Sequence, residues 1–255
     1  MSPSLNNFEM NRISKGALGS KGKRHVGGAI GGGTRAGQRA FTLIELLAVI
    51  AIIALLAGIV LGTAGLATWK SRESRIKAEK DRLVTAIEDY KAVMGNYPPD
   101  NQDSSLKVDD PKQYHERCGK NSLFYELSGC TFDNANGGTF TTQNKAESVK
   151  ASDLRNAFGA KGVENSARNK RDIPYKGISF KPNQFSELDK FPDVQVLIVP
   201  VDKAPYLIDG KGGRKLNTWF YDASSTNRHN METYDLWAEI TGRDGKPAII
   251  GNWKE

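Results

Sequence analysis

In 255 residues the chain has three histidines and two cysteines. That scarcity excludes much of the chemistry a sequence can announce. After Phe41 only His115 and His229 remain. Neither lies in a His-Glu-x-x-His pair, and there is no Gly-x-Ser-x-Gly, no Gly-Lys-Ser/Thr phosphate loop and no Cys-x-x-Cys. The two histidines read as surface or loop residues, and Trp219, Trp237 and Trp253 as core and sheet packing. Zinc is disfavoured because only His115 lies near Cys118 and Cys130. With no catalytic constellation, the expectation is a protein that is not an enzyme.

Charge is missing from Leu46–Thr68, a run of 23 residues that as a helix reaches roughly 35 Å, enough for a bilayer core. Glycine and proline are missing from Trp69–Met94, so the helix is expected to continue from Phe41 to Met94. There Ile76, Leu83, Ile87, Tyr90 and Met94 recur at helical intervals and form one apolar stripe. Arg72, Glu73, Lys77, Lys80, Asp81 and Glu88 fall on the opposite face, so this half is amphipathic and should pack on a soluble domain. Gly95-Asn96 supply a left-handed cap and Pro98-Pro99 stop the helix.

The formal net charge of +7 is concentrated. Residues 1–40 hold seven basic side chains, the last being Arg35 and Arg39, against the single acid Glu9. The remainder is close to neutral. This glycine-rich head lacks interleaved aromatics, so a nucleic-acid partner is not expected. It reads as an address that keeps the head cytoplasmic and directs the C-terminal domain outward.

Beyond "GNYPPDNQ" the chain turns irregular. Residues 110–129 and 145–160 read as short helices separated by the turn-rich "DNANGGTFTTQN". From residue 173, "KGISFK", "DVQVLIVPVD", "APYLID", "LNTWFYDA" and "TYDLWAEI" read as strands with short turns, which favour antiparallel pairing. The fold class is therefore α+β, with a long N-terminal helix covering one face of a small antiparallel sheet. The organisation expected is a leader at 1–40, a membrane and filament-core helix at 41–68, its amphipathic continuation at 69–95, a variable insertion at 96–172 and a β region at 173–255.

The stretch "RAFTLIELLAVIAIIALLAGIV" resembles the N-terminal cleavage and methylation segment of type IV prepilins and type II secretion pseudopilins. The resemblance covers about one eighth of the chain and implies a pilin-like fold. It also implies that a prepilin peptidase cuts between Ala40 and Phe41 and methylates the new amine of Phe41. Ala40 stands where the family usually has glycine, and the leader is long. Glu45 matches the family's acid four residues after the cut. An acid in the middle of a spanning helix costs about 2.5 to 3.5 kcal/mol, less near an end, so it is expected to have a partner. The resemblance implies that this partner is the Phe41 amine of a neighbouring subunit. The alternative is a glutamate at the interface, favoured there by the helix dipole.

"YPPD" and the closing "DLWAEITGRDGKPAIIGNW" resemble the major pseudopilin of type II secretion. In that branch a terminal loop can hold calcium, which implies Asp244, with Asp222 and Asp235, as ligands. The alternative is a plain Asp-Gly turn. Cys118 and Cys130 leave two outcomes open: a disulfide closing a short loop, worth roughly 3 kcal/mol, or two separate thiols.

The reading is a filament subunit in the inner membrane, passing once through it with an extracytoplasmic C-terminal domain. Its partners are prepilin peptidase, further copies and other pilin-like subunits, and the secretion or pilus assembly machinery. Rival readings are a type IV pilin for adhesion, motility or DNA uptake, and an unprocessed, membrane-anchored binding domain.

Overall fold

The computed structural model describes residues 41–135, 137–160, 162–167, 175–191, 193–201 and 203–254. The chain divides into two units between Ile53 and Ala54. Helix α1, Leu43–Met94, contributes to both. Its segment Leu43–Val60 is long and apolar enough to cross a membrane, and none of it is buried.

From Trp69 onward the helix changes character as its sequence predicts. Ile76, Leu83, Ile87, Tyr90 and Met94 are all buried, together with Ala86, while Arg72, Lys77, Asp81 and Glu88 are exposed. Gly95 then takes φ +87° and donates its N–H to Lys91 O at 2.8 Å. Only a residue without Cβ adopts that conformation cheaply, so the helix ends there.

The buried stripe packs on a three-stranded antiparallel sheet of β8 (Phe220–Asp222), β9 (Asp235–Thr241) and β10 (Pro247–Gly251), ordered β10-β9-β8. Alternation along β9 sends Leu236, Ala238 and Ile240 into the cluster that holds the stripe. Trp237 points to the other face and meets Phe220, Cys118 and the half-buried Tyr114. Cys118 and Tyr114 come from helix α2, Pro111–Gly119. A helix thus covers each face of β9, which explains why six of its seven residues are buried.

Helix α2 starts as expected. Asp110 accepts from the N–H groups of Lys112 at 2.9 Å and Gln113 at 3.0 Å, with Pro111 in the first turn. Helix α3 is Leu123–Ser128. The stretch read as turns contributes instead to a sheet of β1 (Cys130–Asp133), β2 (Thr139–Thr142) and β3 (Ser148–Lys150). Its strands are too short to show a period, but β2 and β3 each bury one large apolar residue, Phe140 and Val149. Helices α4 (Ala151–Phe158) and α5 (Glu164–Ala167) follow.

Two antiparallel pairs precede the C-terminal sheet: β4 (Phe185–Glu187) with β5 (Gln195–Leu197), and β6 (Ile208–Gly210) with β7 (Arg214–Leu216). The expected strand "KGISFK" does not form. Ile178 N donates instead to Leu127 O at 2.7 Å, and Phe180 packs on Phe124 with ring centroids 5.7 Å apart. The α+β class holds, with four small sheets among the described residues in place of one.

A buried carboxylate ties α1 to the middle of the chain. Glu126 is fully buried and accepts from Tyr90 Oη at 2.8 Å, Glu164 N at 2.8 Å and Asn165 N at 3.3 Å. Asn165 reciprocates, donating Nδ2 to Glu126 O at 2.7 Å. Desolvation nevertheless outweighs these bonds and pushes Glu126 up to about 7.

Of the two outcomes open for Cys118 and Cys130, the structure takes the separate thiols. Cys118 packs with Phe220 and Trp237, whereas Cys130 lies in the main core with its Sγ 3.4 Å from Tyr125 O. Helix α3 stands between them in the chain and carries each into a different cluster. Burial raises both thiol pKa values, so both are poor nucleophiles.

Two outcomes are expected. The folded state binds the Glu126 proton more tightly than the unfolded chain, so its stabilising contribution is complete below pH about 4.5 and is lost as pH rises through about 7. Chemical denaturation of wild type and Glu126→Gln at pH 5 and pH 8 should therefore show wild type losing up to about 3 kcal/mol relative to the variant at the higher pH. Denaturation without reductant should release two titratable thiols per chain, with neither reacting rapidly before unfolding.

Candidate processing and assembly site

The start of α1 is built from Phe41, Thr42 and Glu45. The carboxylate of Glu45 turns back on the helix: its Oε2 accepts from Thr42 N at 2.9 Å and from Thr42 Oγ1 at 2.7 Å. Glu45 N in turn donates to Thr42 Oγ1 at 3.3 Å. This is a reciprocal capping box, in which each side chain satisfies a backbone N–H that the first helical turn leaves open. The spacing Thr-x-x-Glu in "FTLIE" is its sequence signal, and Thr42 is the site residue that the sequence reading passed over. Glu45 is thus satisfied within its own chain, next to the residue that a cut before Phe41 would leave with a free amine.

The site has an apolar surround. Phe41, Leu43, Ile44, Leu46, Leu47 and Val49 are all exposed, Phe41 at 75% and Leu43 at 76%. The exposed large side chains continue to Val60. Ala40, Arg35, Arg39 and the rest of the leader lie outside the described residues.

The proposed calcium ligands do not converge. Asp222 and Asp235 face each other as partners in the β8–β9 register, but each is already occupied. Asp222 accepts from Tyr114 Oη at 2.7 Å, from Ser225 N at 2.9 Å and from Ser225 Oγ. Burial opposes its charge, but those hydrogen bonds outweigh burial and hold its pKa low. Asp235 accepts from His229 N at 2.6 Å and Asn230 N at 2.9 Å. Asp244 lies apart in the exposed β9–β10 turn, where its Oδ1 accepts from Lys246 N at 3.1 Å and Gly245 takes φ +77°. No group of three or more His, Cys, Asp or Glu side chains suited to a metal occurs among the described residues.

The segments that resemble the secretion branch meet in space. Pro98 O accepts from Tyr221 Oη at 2.8 Å. Asp100 accepts from Ala223 N at 3.0 Å and from Ser224 N at 2.9 Å, while burial raises its pKa. Asn252 holds the paired strand at the same end, accepting from Leu236 N and donating to Tyr234 O, both at 3.0 Å. "YPPD" and Asn252 of the closing segment therefore hold the neighbouring strands β8 and β9 of one sheet.

The histidines play structural parts. His115 Nε2 lies 2.8 Å from Glu239 Oε1 and its Nδ1 2.6 Å from Pro111 O, with its ring stacked on Tyr206. Burial disfavours its charge, but those two acceptors prevail and raise its pKa. His229 stacks on Trp253, centroids 4.0 Å apart.

No curated protein and no solved structure shows significant similarity to this chain. One family does match: residues 35–61 fit the prokaryotic N-terminal methylation motif. That segment contains the position where a cut is expected, the capping box and the first part of the apolar helix. The motif implies processing by prepilin peptidase and a structural subunit of pilin-like filaments, and the apolar helix fits a single-pass membrane anchor. With a long N-terminal helix, small antiparallel sheets and this motif at residues 35–61, the chain bears the signature of the type IV pilins and pseudopilins.

Proposed function

We propose that this chain is a pseudopilin of type II secretion, a structural subunit drawn from the inner membrane into a short filament. It enters the membrane with residues 1–40 on the cytoplasmic side, is cut between Ala40 and Phe41, and is methylated on the new amine. The C-terminal domain then lies outside the cytoplasm.

The observation that carries this reading is the exposed apolar surface of α1 from Phe41 to Val60, beginning within the matched motif. An apolar surface of that length needs lipid or other helices around it. Lipid serves the stored subunit and neighbouring helices serve the assembled one. Because lipid tails are already apolar, assembly gains little from hydrophobic burial and must draw on packing and polar pairing. Glu45 supplies the polar part by exchanging its own Thr42 cap for the Phe41 ammonium of a neighbour. The secretion branch is supported by the likeness of "YPPD" and the closing segment, which the fold brings to one sheet.

Three measurements test this. N-terminal sequencing of the mature chain should begin at methylated Phe41, whereas an intact leader would leave an unprocessed anchor. Glu45→Ala should insert into membranes normally yet reduce filament yield at least about tenfold, a pairing worth about 1.4 kcal/mol. Deleting the gene should abolish secretion of folded cargo. Long surface fibres with unimpaired secretion would instead identify an adhesive or motility pilin.

A further inference from the structure

We propose that the cleft between Trp69 and the β9–β10 turn binds the phosphate of an anionic lipid headgroup. The cleft measures about 660 Å³ and is lined by Trp69, Arg72, Lys203, Gly242, Arg243 and Gly245 among others. Arg72, Lys203 and Arg243 are exposed. Among the described residues no carboxylate lines the cleft, and none lies within ion-pair distance of these three cations.

The backbone holds the cations together. Thr241 N donates to Lys203 O at 3.0 Å, which fixes Lys203 beside the end of β9. Gly242 N donates to Lys246 O at 2.7 Å and Gly245 N to Gly242 O at 3.0 Å, which fold the turn bearing Arg243. Trp69 is half-buried against the core and, with Gly242 and Arg243, forms the wall shared with a second cleft. That second cleft contains the local acids: Glu73, paired with Lys77 at 2.6 Å, and Asp244. The side with no acid among its described lining residues is the one suited to an anion.

The position of the cleft selects a lipid. On α1, Trp69 follows Val60 by nine residues, roughly 14 Å of helix rise. It is the first aromatic after an uncharged run that ends at Thr68. Tryptophan at such a place anchors at the headgroup level, where anionic lipids attract Lys and Arg. The assignment rests on α1 being a membrane anchor.

The test uses the full-length chain in micelles doped with phosphatidylglycerol or phosphatidylcholine, with bound lipids counted by native mass spectrometry. Wild type should retain phosphatidylglycerol preferentially. The triple variant Arg72→Gln, Lys203→Gln, Arg243→Gln should lose that retention about tenfold. Two controls should keep it: Arg72→Lys with Arg243→Lys, which preserves charge, and Lys112→Gln, Lys190→Gln, Lys215→Gln, an equal charge change elsewhere. Undiminished retention in the first triple variant, or equal loss in the second, overturns the site. Displacement of the lipid by millimolar inorganic phosphate assigns the cleft to a soluble anion and overturns the lipid. Alkaline carbonate extraction of the same proteins separates the two levels: release of wild type from membranes overturns the anchor, whereas retained anchoring without lipid preference overturns only the cleft.

Discussion

One helix must satisfy two surroundings, and the rest of the structure is arranged around that constraint. In α1 the large apolar side chains as far as Val60 are exposed, while the stripe of Ile76, Leu83, Ile87, Tyr90 and Met94 is almost completely buried. The first part gains nothing by folding alone, so its stability comes from whatever encloses it. The second part is the spine of the soluble domain. Its stripe and the inner face of β9 form one cluster with residues from every later portion of the chain.

Packing by apolar contact alone tolerates sliding of one element over another, whereas hydrogen bonds to a buried acid do not. Tyr90 Oη on Glu126, with the N–H groups of Glu164 and Asn165, fixes how far along α1 the middle segment sits. The specificity costs stability near neutral pH, because the site is dry enough to resist ionisation. The cap beyond Gly95 gives a second fixed point, where Pro98 and Asp100 hold Tyr221, Ala223 and Ser224.

Legibility in the sequence followed the strength of the periodic signal. The stripe of α1, its stop at Gly95 and the strand in "TYDLWAEI" could be read directly, because each rests on local rules of spacing, capping or alternation. Strands of three or four residues carry no usable period, so Thr139–Thr142 was hidden in turn-forming residues and "KGISFK" promised a strand that tertiary contacts override. The same limit affects the site. Phe41 and Glu45 stand in an ordered local motif. The positions of Asp222, Asp235 and Asp244, and whether Cys118 and Cys130 meet, depend on long-range placement that no local motif encodes, and the two thiols lie in separate clusters. Thr42 was legible and overlooked, because the acid drew attention to a distant partner when a near one lay three residues back.

The capping box also bears on the timing of growth. A carboxylate already holding two hydrogen bonds at 2.7 and 2.9 Å is not an open socket. An incoming ammonium must compete with the first turn of its own helix, whose cap is worth about 1 kcal/mol. That toll is small beside a desolvated ion pair but large enough to matter for a fleeting encounter. Under the proposed pairing, chance collisions between stored subunits would tend to part, and a threonine of the subunit itself would act as a brake on spontaneous polymerisation.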